Sequence, residues 1–537
     1  MTKQERAMNA SKKNRDVLQP GPYDRRQFLK TTAAVGAAGV IGSALSLQSA
    51  QASTPKRGGV LRQALRGGAT TDTLNGGTLQ AAHPINVSWQ LRNNLTEIDA
   101  DGQVVGELAE SWEASDNGKV WVFNLRKGVE FHNGKSLEAA DVIHSLNLHR
   151  GEESESAVSG IMNAISDIKA DGKQRVIVEL ANPNADFAFL MSDYHLVIGP
   201  EGTNGEQWDK GIGTGPFILE EWEPGVRALT KRNPNYFKDG MPYFDAVETL
   251  NIADVAARTS ALQTGEVDVI EDPDLKTLHL LERLPGIDVL EVGGTRHFPY
   301  PMLKTASPFD DKDVQMALKL VVDREEWVEK ILKGHGYVGN DHPVGRNQQF
   351  FADSLEQRVY DPDKARFHLK KAGYEDNLSV ELVASDVYSG GVDAALLYQA
   401  SAKAAGINID VRRLPKDGYW SEVPLNVPWH VSSLAGRATI DWVMSVSYAA
   451  DAPWNDTTWA NERFNKLLKE ARGVFDKAKR AEMYHEMQQL VRDDCPTVIP
   501  AFANFIACKT DKIGTPEKLA SNSQLDGLKN CERWWFA

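Results

Sequence analysis

Alternating apolar and polar residues mark the first elements of the chain. In Val120-Trp121-Val122-Phe123-Asn124-Leu125, the side chains of Trp121, Phe123 and Leu125 fall on one face, the period-two pattern of a half-buried strand. Residues 58–65 and 175–180 read as strands too. Between them the period lengthens: Ala139, Ile143 and Leu146 recur at helical spacing, with Ser136 placed to cap that helix. Further along, residues 379–384 are strand-like, residues 392–405 form an Ala/Leu-rich helix and residues 407–414 are strand-like again, which predicts a βαβ unit with parallel strands. Helices are expected over 461–472 and after Asp476, where Met483, Tyr484, Met487, Leu490 and Val491 make an apolar stripe suited to a core. No internal repeat is evident, so the pattern predicts a compact α/β assembly rather than a solenoid.

The N-terminus follows a different logic. Arg25 and Arg26, with Phe28, Leu29 and Lys30, precede a weakly apolar run from Ala33 to Leu47 and the small-x-small site Ala50-Gln51-Ala52. This order is that of a twin-arginine signal peptide cut after Ala52, with export to the periplasm. The run is too short to span a bilayer, which takes roughly 20 apolar residues, and no Cys follows the cleavage site to carry a lipid anchor.

Losing residues 1–52 removes eight Lys/Arg and three Asp/Glu, so the net charge moves from −14 to −19 over the remaining 485 residues. Such acidity argues against nucleic acid or an anionic membrane surface as partner. The length exceeds what one core usually serves and predicts two or three domains. Of three Cys, Cys508 and Cys531 could pair and leave Cys495 free; three buried thiols satisfy the sequence equally well.

Twin-arginine export raises the question of a cofactor. No G-x-G-x-x-G follows a strand, and there is no phosphate-loop motif, no C-x-x-C and no G-x-S-x-G elbow. His485-Glu486 begins like a zinc-protease helix, but Gln489 stands where the second His ligand belongs. The twelve His are scattered without ligand spacing. The sequence therefore predicts no cofactor, no metal site and no catalytic residues.

Several blocks in series carry a family likeness: LAESW at Leu108, DNGKVWVFNLRKGVEFHNGKSLEAADVIHSL at Asp116, GTGPF at Gly213, RNPNYF at Arg232, ALQTGEVDVI at Ala261 and YDPDKARFHLKKAGY at Tyr360. Together they resemble the peptide/nickel/opine class (family 5) of solute-binding proteins of ABC importers, over essentially the whole mature chain. The resemblance implies a bilobed fold of the type II periplasmic-binding-protein kind with an extra inserted domain. Domain I would comprise residues 53–87, 207–292 and 500–537, domain II residues 88–206 and domain III residues 293–499, with crossings near Gly293-Gly294 and Ile499-Pro500. It further implies a monomer that captures a small peptide or peptide-like, amine-bearing solute and delivers it to a permease and ATPase in the inner membrane.

In peptide-binding members an Asp of domain III meets the ligand amine, and Tyr448-Ala449-Ala450-Asp451-Ala452-Pro453-Trp454 places Asp451 at that position. Tyr448, Trp454 and Trp459 gather aromatic rings in the same segment, Asn455 adds a polar group, and Arg437 offers a guanidinium for a carboxylate. The early loop with Thr70, Thr71 and Asp72, and His83 after it, could approach the same cleft. Other members take metal chelates, opines or sugars. A periplasmic hydrolase or redox enzyme using the cleft, and a chaperone-like binder of extended chains, are the competing classes.

Overall fold

The computed structural model describes residues 55–537 apart from Asp376 and Ala438. The signal peptide and its cleavage site lie outside the described residues.

The expected alternation is realised in strand Val120–Leu125, where Trp121, Phe123 and Leu125 are buried. It pairs antiparallel with Ala109–Ser115 on one side and Arg175–Leu180 on the other, and Ile165–Ala170 completes a four-stranded sheet. Helix Ala139–Asn147 packs over this sheet. Its cap is not Ser136 but Glu138, which forms a reciprocal capping box with Asp141. A carboxylate serves as well as a hydroxyl at that position, and the box satisfies two otherwise unpaired N–H groups.

Strand Val60–Leu65 lies inside an eight-stranded sheet, parallel to Ala246–Asn251 and Val269–Glu271 on either side. Arg227–Arg232 and Phe217–Glu223 extend one edge. On the other side Val269–Glu271 pairs with Ala501–Thr510, which in turn carries Ile287–His297 and Gly336–Val338. These two sheets make the first lobe.

Apart from Gly336–Val338, residues from 298 to 500 build the second lobe around two cores. One holds Phe298, Tyr300, Trp327, Tyr398 and Trp429 beside the parallel strands Leu378–Ala384 and Ile407–Arg413, joined through helix Gly391–Ala402 as the βαβ pattern predicts. The other holds Tyr448, Trp459, Phe464, Tyr484 and Met487 from helices Ile440–Ser447, Glu462–Ala471 and Lys477–Asp494 and the turns between them. Asn461 and Asp476 cap the last two helices by accepting from Phe464 N and Lys479 N. The stripe after Asp476 is core: Tyr484, Met487 and Val491 are buried, with Met483 and Leu490 against them.

The lobes join where Ile287–His297 runs beside Ala501–Thr510. The ladder is interrupted between Val292 and Arg296, and a Cβ on Gly294 would sit 2.1 Å from the Ala503 carbonyl oxygen, so only glycine fits there. Just beyond the junction, the fully buried Asp341 accepts from Arg324 Nη2 at 2.8 Å on both oxygens, from Arg358 Nη1 at 2.5 Å and from Ile499 N at 2.8 Å. Burial alone would raise its pKa, but the two guanidinium groups outweigh burial and hold the carboxyl far below the usual carboxylate range.

Cys495, Cys508 and Cys531 are all free and buried, so of the two readings left open by the sequence the structure adopts three buried thiols. Burial pushes each thiol up to about 12.

Candidate functional site

The cleft between the lobes narrows to a cavity of about 50 Å³, lined by Ile98, Asp186 and Phe189 of the first lobe and by Gln348, Phe350 and Arg437 among residues of the second. Solute pockets typically measure ~300–1,000 Å³. Admitting a solute therefore requires the lobes to part or the lining side chains to swing.

Arg437 is the one sequence-predicted residue with a charged group at the centre of this wall. Thr439 caps helix Ile440–Ser447 by accepting from Trp442 N, which sets Trp442 next to the Arg437 segment. The guanidinium carbon lies 5.7 Å from the Trp442 ring centre and 5.2 Å from that of Trp454. Trp454 itself is 48% exposed, at the rim. Among the described residues no carboxylate comes within ion-pair reach of Arg437, whose Nη1 makes only long contacts to the Ala435 and Gly436 carbonyls at 3.4 and 3.3 Å. Burial lowers its pKa from the ordinary arginine value, opposed by Tyr194 and Asp193 across the cleft. The Asp193 carboxylate is already engaged by His195, through both its backbone N–H and its ring.

The other sequence candidates are placed differently. Asp451 is exposed on the turn before Trp454. Tyr448 ends helix Ile440–Ser447 and is buried in the core. Trp459 is wholly buried and donates from Nε1 to Asp494 Oδ2 at 2.9 Å. Asn455 donates to the Ala449 and Trp459 carbonyls at 3.0 and 2.8 Å, so its side chain holds the 449–459 loop together. The structure thus brings Arg437, Trp442 and Trp454 together and packs Tyr448, Trp459 and Asn455 inward. His83 is buried in the first lobe, stacked on Trp222 at 5.8 Å, and Asp72 accepts from Ala69 N within its own loop. Asp186, Asp193, Tyr194 and Gln348 were missed by sequence reasoning, because nothing in their local patterns marks them.

One carboxylate cluster, Glu97, Glu107 and Glu532, has oxygens close enough to share an ion. The cluster is already neutralised: Lys238 reaches Glu97 and Glu532 at 2.7 Å, Lys529 reaches Glu107 at 2.5 Å, and Arg533 reaches Glu97 at 3.2 Å. Three cations against three anions leave no net charge to attract a metal, and the cluster serves as a buried joint inside the first lobe.

Comparison with known proteins agrees with this architecture. Residues 103–459 match the model of bacterial extracellular solute-binding proteins, family 5. Residues 22–42 match that of the twin-arginine translocation signal. The dipeptide-binding protein of Escherichia coli K12 is 27% identical over 455 residues, covering 77% of this chain and 84% of that protein. Among solved structures, CtaP of Listeria monocytogenes, an ABC transporter substrate-binding protein, superposes with a TM-score of 0.78 at 22% identity, covering 90% of this chain and all of that one. DppA of Helicobacter pylori in complex with the peptide STSA gives 0.73 at 20% identity, covering 90% and 98%. The bilobed α/β fold, the twin-arginine leader and a family match over more than half of the sequence lead to one conclusion: this chain belongs to the family 5 bacterial extracellular solute-binding proteins, and is a periplasmic substrate-binding protein of an ABC importer.

Proposed function

We propose that the protein captures a short peptide or peptide-like solute whose carboxylate meets Arg437. The observation that carries this reading is a half-buried guanidinium between the lobes, set over two indole rings, with no carboxylate of the described residues within ion-pair reach. A cation in a water-poor wall is stabilised by an anionic partner, and the fork geometry of Arg suits a carboxylate. Asp451, exposed three residues before Trp454, offers a counter-charge for an ammonium group at the rim. On this reading the chain works as a monomer of three domains with the bounds given above, binds without catalysing a reaction, and passes its solute to a permease and ATPase in the inner membrane. The relatives named for dipeptides and for a bound peptide support the solute class.

Native mass spectrometry of the mature protein purified from periplasm, followed by denaturation to release and identify what is bound, tests the proposal. Wild type is expected to release a carboxylate-bearing peptide or amino-acid derivative. Arg437→Gln, which loses a charged hydrogen bond worth roughly 1.5–3 kcal/mol, is expected to bind the released compound about 10- to 150-fold more weakly. A neutral solute, or unchanged affinity in the variant, would remove Arg437 from the site.

A further inference from the structure

The lobes also meet along the wall of the same cavity, on the side of Asp186 and Phe350. Asp186 precedes the short helix Phe187–Leu190 of the first lobe and faces Arg480 in helix Lys477–Asp494 of the second. Nη1 donates to Oδ1 at 2.7 Å and Nη2 donates to Oδ2, and each side chain is only 7% exposed. The partners are anchored in separate cores: Phe187, Ala188 and Leu190 pack with the four-stranded sheet, whereas Tyr484 and Met487 pack in the second lobe. The contact continues on both sides of the pair. Ala185 N donates to the Arg472 carbonyl at 2.6 Å. Phe475 lies 6.2 Å from the Trp121 ring and against Gly118, where a Cβ would come within 2.9 Å of it. Trp442 packs on the core of the four-stranded sheet. The groups facing the pair are Asp441, itself paired with Arg472 at 2.9 Å, the Tyr484 phenol, and the Phe350 ring at 5.5 Å from the guanidinium.

Separating the lobes would return both charges to water, so the pair exists only while they are shut. We propose that Asp186 and Arg480 form a closure latch, built into the chain, that helps hold the lobes together independently of the solute's own anchors. The latch rests on the reading that the lobes close on a solute, and not on the carboxylate assignment. Removing one partner strands the other, buried and unpaired, in the closed form alone; replacing both by apolar groups removes that penalty.

Distances between spin labels on Glu113→Cys and Glu482→Cys, one exposed site on each lobe, report closure. The three native thiols are buried and do not compete for label. No solute is added to the extensively dialysed mature protein, so the outcome is separate from that of the Arg437 experiment. The unmodified latch is expected to give a population at the short, closed separation. Asp186→Asn or Arg480→Gln is expected to shift the closed-to-open ratio toward open by roughly 100- to 3,000-fold, and Asp186→Leu with Arg480→Met to restore most of the closed population. Arg480→Lys, which keeps the charge but loses the paired geometry, is expected to fall between. Single variants with the parent distribution, a double variant as open as the singles, or a parent that is already open would each overturn the latch.

Discussion

Replacing Asp341 by Asn changes almost no volume and removes one buried charge. The carboxylate is fully buried and accepts from two guanidinium groups and from the Ile499 amide. In the Asn variant the side-chain oxygen can keep the Ile499 N–H, but its NH₂ group faces Arg324 or Arg358, donor against donor. Breaking a buried ion pair from one side costs about 3–5 kcal/mol. Asp341→Ala additionally orphans the Ile499 amide, for roughly another 1–3 kcal/mol. Urea unfolding followed by tryptophan fluorescence is a suitable assay, because Trp327 and Trp429 sit in the core of the same lobe. The transition reporting the second lobe is expected to move to lower urea by the equivalent of about 3–5 kcal/mol in Asp341→Asn, and further in Asp341→Ala. The pH dependence has a definite sign. The folded carboxyl lies far below the unfolded value of about 3.9, so its stabilisation is complete above that pH and is lost as pH falls below it. The variant should lack this part of the acid sensitivity. A loss of less than about 1 kcal/mol at neutral pH would show that the Arg324–Asp341–Arg358 cluster is not what holds the backbone at Ile499 in place.

Two further outcomes follow from burial. A thiol reagent at neutral pH is expected to find none of the three cysteines in the folded protein and all three in urea, since all are buried and pushed up to about 12; rapid labelling of any one in the native state would contradict its placement. Trp454→Ala and Trp459→Ala should separate binding from stability. The rim residue is expected to weaken solute retention with little change in melting, whereas Trp459, wholly buried, should cost about 3–5 kcal/mol of stability. Equal effects of the two substitutions on both readouts would refute the division.

The secondary-structure elements and the kind of protein were legible in the linear pattern of residues. Alternation at Trp121, Phe123 and Leu125, the helical stripe through Tyr484 and Met487, and the βαβ run over 379–414 are set by which residues must leave water, and that periodicity survives in any fold that buries them. The leader is a linear signal, and the series of family blocks is a linear pattern, so both were legible as well. A local rule does mislead at one helix start: Ser136 has the residue type of a cap, but the reciprocal Glu138–Asp141 box takes that role immediately before Ala139. Composition left the cysteines open, because pairing depends on where strands and helices bring Cys508 and Cys531, and the fold places both as buried thiols.

The site belongs to tertiary structure. Tyr448, Asn455 and Trp459 share a segment with Trp454, yet the turns between Tyr448 and Trp459 bury the first three and leave Trp454 at the rim. Asp186 and Arg480 stand 294 residues apart, and Arg437 is opposed by Asp193 and Tyr194 from the other lobe. Neither encounter has a local signature, since a lone Asp or Arg reads as a solvated surface charge. Only the packing of two lobes, each closed around its own core, strips water from these charges and turns one into a latch partner and another into a cation awaiting an anion.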